Sequence, residues 1–317
     1  MNTTFLHGDL DEEVYMTPPA SLHLSDPALV CKLTKSLYGL RQASRQWNFK
    51  LTVTLTIKGF IQSKSDYALF TRGSLTGFTI VLTYVDDLIL VGNNLSEITQ
   101  LKSLLHNKFG IKNLGPLRFF LGFEITRYSK GISLNQRKYA LDLLQDTGLL
   151  AFKPLSTPMD YSLTLSMVVG SSIPDASIYR RLLGRLVYLT NSRPDISFVV
   201  SKLSQFLSQS SSIHLQVVLR VLWYIKGNPT QGLFFPTQSS LHLTSFFDSN
   251  WGACPDTRRS VTGFCFFLGF ALVSWKSKKQ TTISRSSFEV EYRALAQASC
   301  EAQWPIYLLQ DFGISLT

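Results

Sequence analysis

Leu82-Thr83-Tyr84-Val85-Asp86-Asp87-Leu88-Ile89-Leu90 sets two adjacent carboxylates between two apolar, strand-forming halves. Upstream, Phe78-Thr79-Ile80-Val81 lengthens the first half, and Val91-Gly92 completes the second. A strand that meets Asp-Asp and resumes as a strand reads as a hairpin with the carboxylates at its tip. Neighbouring carboxylates repel each other, and desolvation adds to the cost of keeping both ionised. A divalent cation relieves both, and oxygen-only ligands suit Mg²⁺, which binds through one or two carboxylates together with substrate phosphates. This is the reading of a phosphoryl-transfer metal site. The alternative is a solvated turn, where Asp is common.

Outward from the tip, Tyr67-Ala-Leu-Phe-Thr reads as a partner strand, and Ser96 begins an amphipathic helix through Ile98, Leu101, Leu105 and Phe109, stopped by Gly110. Further upstream, Leu37, Leu40, Ala43, Trp47, Leu51 and Leu55 recur at helical spacing, with Lys35, Arg41, Arg45 and Lys50 on the other face. The first 30 residues, with Pro18-Pro19, Ser21, Ser25, Asp26 and Pro27, read as irregular. Downstream, Phe119-Phe-Leu-Gly-Phe-Glu-Ile and Gly131-Ile-Ser-Leu-Asn predict a second hairpin, and a helix spans Gln136 to Gln145. Residues 151–178, rich in Ser and Pro, make the best linker. Helical periodicity returns over 179–190, 195–207 and 215–226, and from about Leu241 the pattern changes to strands, the apolar hairpin 263–275 and a helix.

Across 317 residues, 31 Lys+Arg against 21 Asp+Glu leave +10, and 45% hydrophobic residues exclude a disordered tail as the bulk of the chain. Residues 1–30 hold −5 of this, so the remainder carries +15 and favours polyanionic partners. No apolar run approaches the ~20 residues of a spanning helix, so no membrane partner is expected. The start lacks the basic region of a secretory signal. Cys31, Cys254, Cys265 and Cys300 match no zinc spacing and read as buried thiols in a reducing compartment. Any metal must come from carboxylates.

Tyr84-Val85-Asp86-Asp87 resembles the YxDD signature of reverse transcriptases. Its surroundings resemble the copia-type LTR retrotransposon polyprotein: Phe5-Leu-His-Gly-Asp-Leu-Asp-Glu-Glu-Val-Tyr-Met, Lys35-Ser-Leu-Tyr-Gly-Leu-Arg-Gln-Ala-Ser-Arg-Gln-Trp, Tyr179-Arg-Arg-Leu-Leu-Gly-Arg-Leu-Val-Tyr-Leu, Arg193-Pro-Asp-Ile, Asp248-Ser-Asn-Trp-Gly and Ser284-Arg-Ser-Ser-Phe-Glu-Val-Glu-Tyr. The resemblance implies an α+β reverse-transcriptase palm and thumb over 1–150, a linker and helical connection over 151–235, and an incomplete ribonuclease H-like α/β domain over 236–317. It implies Mg²⁺ (or Mn²⁺) on Asp86 and Asp87, with Tyr84 and Val85 beside the primer. Phe120-Leu121-Gly122-Phe123 resembles the hairpin that grips the primer strand, with a buried aromatic hairpin as the alternative. Lys35, Arg41 and Arg45 then face nucleotide or template phosphates; Arg41 and Arg45, four apart on the expected helix, share a face as a phosphate clamp requires. An ordinary solvated basic face is the alternative. The partners implied are an RNA template, a DNA primer, deoxynucleotides and an RNA–DNA hybrid, in the cytoplasm or nucleus by analogy.

A second carboxylate set lies further on. Leu241-His-Leu-Thr-Ser-Phe-Phe alternates as a strand and delivers Asp248 at its end. Ser286-Ser-Phe-Glu289 has the form of a capping box, which leaves Glu291 without a local role. Glu291 shares a helical face with Leu295 and Ala298; with that face on the sheet it points toward Asp248. The resemblance implies that Asp248 and Glu291 are the first two carboxylates of the ribonuclease H cluster and its metal. In the family, an Asp-Val pair precedes the Phe-Leu-His-Gly-Asp block and an Asp-Asn pair follows the Gln310-Asp-Phe-Gly-Ile-type segment. Neither stands in these 317 residues, nor do the fingers and first palm strand. The expectation is a chain homologous to an RNA-directed DNA polymerase and ribonuclease H but inactive as written. The alternative is a non-catalytic basic RNA- or DNA-binding fragment or pseudogene product.

Overall fold

The computed structural model describes residues 4–19, 21–22, 26, 28–74 and 77–314; Ser25 and Pro27 of the stretch expected to be irregular lie outside them. Two compact units divide the chain. One takes in the chain up to Pro116 together with the segment from Pro305, and the other covers Leu117–Trp304.

In the first unit, β1 (Asp9–Met16) pairs antiparallel with β2 (Cys31–Lys35). A strand at β1 corrects the expectation of irregular chain. Leu10, Val14 and Met16 are half-buried while the acidic residues between them are exposed. Those acids are answered across the ladder, Glu13 by Lys32 and Asp9 by Lys35, with Lys50 reaching Asp9 at 2.8 Å. Opposite charges placed cross-strand favour the pairing that composition alone argues against.

The helix α1 spans Ala43–Ile57, not the stretch from Leu37. Lys35 closes a strand and Gly39, at φ +97°, cannot continue a right-handed helix. Arg41 therefore precedes α1 while Arg45 lies within it, and the expected shared helical face for this pair is not formed. Ala43, Trp47, Leu51 and Leu55 form the buried stripe. Four antiparallel strands follow in sheet order: β3 (Ile61–Gln62), β4 (Leu69–Ser74), β5 (Gly77–Tyr84) and β6 (Asp87–Gly92). The helix α2 (Leu95–Phe109) is capped by the Asn94 side chain, which accepts from the Glu97 N–H, and closes on Gly110 at φ +62°. Trp47, Leu51 and Leu55 meet Phe70, Val81, Leu105 and Phe109 in one core.

In the second unit, β7 (Phe119–Phe120), β8 (Phe123–Tyr128) and β9 (Gly131–Asn135) form successive hairpins, and β10 (Leu233–Pro236) adds to the β9 edge. The helices α3 (Arg137–Asp146), α4 (Ala176–Leu189), α5 (Ser197–Leu203) and α6 (Ser212–Gly227) enclose the largest core, which also takes in Met159 and Leu165. Arg193 is buried beside that core. It pairs with Asp195 through Nε and Nη2 (2.9 and 2.7 Å) and donates to the Asn228 carbonyl at 3.0 Å.

The strands β11 (Leu243–Ser249), β12 (Val261–Leu268) and β13 (Ala271–Lys279) make a separate antiparallel sheet in that order. The helix α7 (Ser287–Asp311) lays Ala298 on Phe264 and Phe266. In its first three turns the buried positions are Val290, Ala294 and Ala298, whereas Leu295 is 42% exposed. The inward face is thus rotated by one residue from the expected Glu291–Leu295–Ala298 face, and Glu291 sits half-buried at its flank. No described helix is long and apolar enough to cross a membrane.

The Lys35 ammonium, and after it that of Lys50, holds the Asp9 carboxyl down at about 2. A carboxyl whose pKa falls on folding stabilises the folded chain above its unfolded value and loses that contribution as pH drops toward the folded one. Between about pH 4 and pH 2, the urea midpoint of the chain should fall more steeply than that of Asp9→Asn. Equal slopes for the two proteins would contradict the Asp9 tie.

Candidate active site

β5 and β6 pair in register from Thr79↔Gly92 to Tyr84↔Asp87, so Val85 and Asp86 are the two central residues of the turn. Thr79, Val81 and Thr83 face the core, which sends Tyr84 outward and leaves the turn at the surface. Two-residue hairpins need a positive φ, a place usually taken by Gly, Asn or Asp. Here Val85 adopts φ +55°. A β-branched residue in that region is strained. The turn is held from below: the Trp47 indole N–H donates to the Val85 carbonyl at 2.8 Å. Trp47 is itself fixed by an edge-to-face contact with Phe109, ring centroids 5.0 Å apart. Asp86, within the turn, is half-buried, and Asp87, the first residue of β6, is exposed.

The helical spacing marks Trp47 as one of a packing stripe and carries no sign of this second task. The available signal was chemical: a buried indole must find an acceptor for its N–H, and a tight turn offers a carbonyl. Lys35, expected to meet phosphates, is engaged by Asp9 on the ladder. Arg41 and Arg45 are exposed. Asp11 accepts from the Gln46 side chain at 2.6 Å.

In the second unit, Asp248 is exposed on β11 opposite Gly263, and the next residue, Ser249, turns inward. Ser249 belongs to a buried knot in which the Gln280 amide donates to Ser249 Oγ (3.2 Å), Thr262 Oγ1 (3.0 Å) and the Val290 carbonyl (3.3 Å). This ties the end of β11 to the start of α7. Glu289 caps α7 as its spacing predicts: its N–H donates to Ser286 Oγ at 3.2 Å. Its carboxylate accepts from the Arg285 N–H at 2.7 Å, one residue before the cap. That hydrogen bond, with the Arg293 guanidinium beside it, holds the Glu289 carboxyl below the usual range. The hairpin tip at Leu121-Gly122 is open, with Phe119 69% exposed.

Among the described residues, no group of three or more His, Cys, Asp or Glu side chains could hold a metal ion. At the β5–β6 tip the protein donors are therefore two adjacent carboxylates. That set fits one hard cation whose other positions go to water and phosphate oxygens. It does not by itself make a two-cation clamp.

Residues 1–161 match the family described as reverse transcriptase (RNA-dependent DNA polymerase). The chain belongs to the reverse transcriptase family. Over its full length this reverse transcriptase chain is 40% identical to the retrovirus-related Pol polyprotein from transposon RE1 of Arabidopsis thaliana, covering 22% of that polyprotein. It is 34% identical over 99% of its length to the Pol polyprotein from transposon TNT 1-94 of Nicotiana tabacum, covering 24% of it. It is also 32% identical over 95% of its length to the putative transposon Ty5-1 protein of Saccharomyces cerevisiae, spanning 99% of that relative. The chain thus spans under a quarter of the copia-type Pol polyproteins it matches. No solved structure matches it.

In this reverse transcriptase chain, Trp47→Phe keeps one of the two fused rings in the core and removes the bond to the Val85 carbonyl. Its expected cost is about 1 kcal/mol, against about 3–5 kcal/mol for Trp47→Ala. Urea unfolding of the three proteins checks this, and equal midpoints for Trp47→Phe and the parent would deny the bond its role.

Proposed function

We propose that the chain carries part of the catalytic machinery for RNA-directed DNA synthesis in a copia-type element. The single observation behind this is the Asp86-Asp87 pair on a two-residue turn tied down by Trp47, within the segment that matches the reverse transcriptase family. Asp86 and Asp87 would hold Mg²⁺ or Mn²⁺. When bound, such a cation neutralises charge on the phosphates of an incoming deoxynucleotide. The residues of the chain do the positioning. The rigid β5–β6 ladder fixes where the carboxylates stand, and Tyr84 and Val85, both about half exposed, offer a surface for the primer end beside them. Arg41 and Arg45 would take template or nucleotide phosphates, and Lys35 would do so in competition with Asp9. Phe120, Leu121 and Gly122 would contact the primer strand.

Residues 236–317 would form the ribonuclease H-like part, with Asp248 and Glu291 as carboxylates for an RNA–DNA hybrid, after a connection over 151–235. Two protein donors at the hairpin tip fall short of a two-cation site. The 317-residue chain alone is accordingly proposed to extend primers poorly or not at all. The net charge of +10 supports a second reading of the isolated chain: salt-sensitive, sequence-independent binding to nucleic acid without catalysis.

Primer extension on an RNA template, in Mg²⁺ or Mn²⁺, separates the two. A polypeptide carrying this chain behind the polyprotein residues that precede it in RE1-like relatives should extend. Asp86→Asn in that polypeptide should lower extension about a thousandfold, the scale of losing several kcal/mol of charge stabilisation. Extension that survives Asp86→Asn would overturn the catalytic reading. Primer–template binding by the 317-residue chain should weaken steeply with salt, and a flat salt response would overturn the binding reading.

A further inference from the structure

The hairpin β7–β8 pairs Phe120 with Phe123, so Leu121 and Gly122 make its whole turn. Both stand at positive φ, +47° and +75°. That backbone suits Asn-Gly, and a leucine in the first place is strained. Strain of this kind persists only where the surroundings over-determine the conformation.

The surroundings here converge on one side chain from α4. The Tyr188 hydroxyl donates to the Leu121 carbonyl. A Cβ built on Gly122 would meet the same hydroxyl at 3.0 Å, so the turn lies directly against it. The Tyr188 ring packs edge-on to Tyr139, centroids 5.0 Å apart. Tyr139 is held in turn by its bond to the Arg185 carbonyl (3.3 Å) and by the Arg185 guanidinium over its ring (5.5 Å). Below the tip, the Glu124 carboxylate accepts from the Lys138 N–H at 2.7 Å, fixing β8 to the start of α3. The turn is therefore clamped at its apex while Phe119 and Leu121 stay exposed, 69% and 38%.

We infer that Tyr188 is a positioning residue for primer binding, its hydroxyl holding the Leu121–Gly122 turn in the shape that presents the hairpin tip to the primer strand. This rests on the proposed reading of Phe120–Gly122 as primer contacts. Tyr188 itself touches no substrate in this scheme; it acts through the turn.

Tyr188→Phe tests it, since it keeps the ring and removes the hydroxyl. Two measurements are made on the 317-residue chain. Without nucleic acid, the Phe123 amide should exchange with solvent about tenfold faster in Tyr188→Phe, the loss of one hydrogen bond at the apex. With a fluorescent DNA primer annealed to an RNA template, the dissociation constant should rise about fivefold to tenfold, the same loss read as affinity. Single-stranded RNA should bind unchanged. Unchanged exchange overturns the clamp. Faster exchange with unchanged primer–template affinity overturns the positioning role. A parent chain that does not bind primer–template overturns the inference together with the reading beneath it, and is told apart from failure at Tyr188 alone because there the parent binds.

Discussion

A two-residue turn that presents Asp86 beside Asp87 needs a positive φ at its first position. In this chain that requirement falls on Val85, a residue ill suited to φ +55°. Backbone strain of this sort costs about 1–3 kcal/mol, and a single neutral hydrogen bond returns about 1 kcal/mol. The Trp47 bond therefore offsets the strain only with help from the core in which Trp47 is seated. The α1 stripe, the edge-to-face contact with Phe109 and the inward threonines of β5 all serve the same end: they make the position of one carbonyl non-negotiable.

The second unit depends on a different device. Arg193 is 1% exposed, and its charge is answered by Asp195, the Asn228 carbonyl and the face of Tyr224 at 5.6 Å. Such a group brings little net stability when fully partnered, whereas removing its partner costs about 3–5 kcal/mol. Its value is geometric, because it fixes the short connection between α4 and α5 to the end of α6. The Gln280 knot does the same at smaller scale, joining β11, β12 and α7 through neutral groups.

Much of this was legible in the sequence. Alternation and spacing located β5, β6, α2, α3 and the helices α4 to α6, since each buries one face and the period of burial is written in the residues. The Asp-Asp tip followed from two apolar halves with nothing but carboxylates between them. The misreadings share a cause: local pattern was overruled by partners far along the chain. β1 looks irregular until Lys32, Lys35 and Lys50 arrive to answer its acids. The helical spacing from Leu37 is real, yet β2 claims the residues before it and Gly39 breaks the path. On α7, Glu291 and Leu295 fall on one face by spacing, but it is the small Ala298 that packs against Phe264 and Phe266. For the tip itself, spacing could find the carboxylates but not the indole that steadies them, because a hydrogen bond to a distant carbonyl leaves no periodic trace.

The open side of β11 carries a last consequence. Its residues pair only with β12 among the described strands, and Phe246 and Phe247 are 60% and 37% exposed along it. An uncovered, aromatic strand edge is a template for pairing with other chains. Asp248 is the only charged side chain in that strand, and a charge on an edge strand disfavours pairing with another chain. Neutralising it would remove that charge from the edge. The behaviour of such a variant has to be weighed against the amount of protein still in solution.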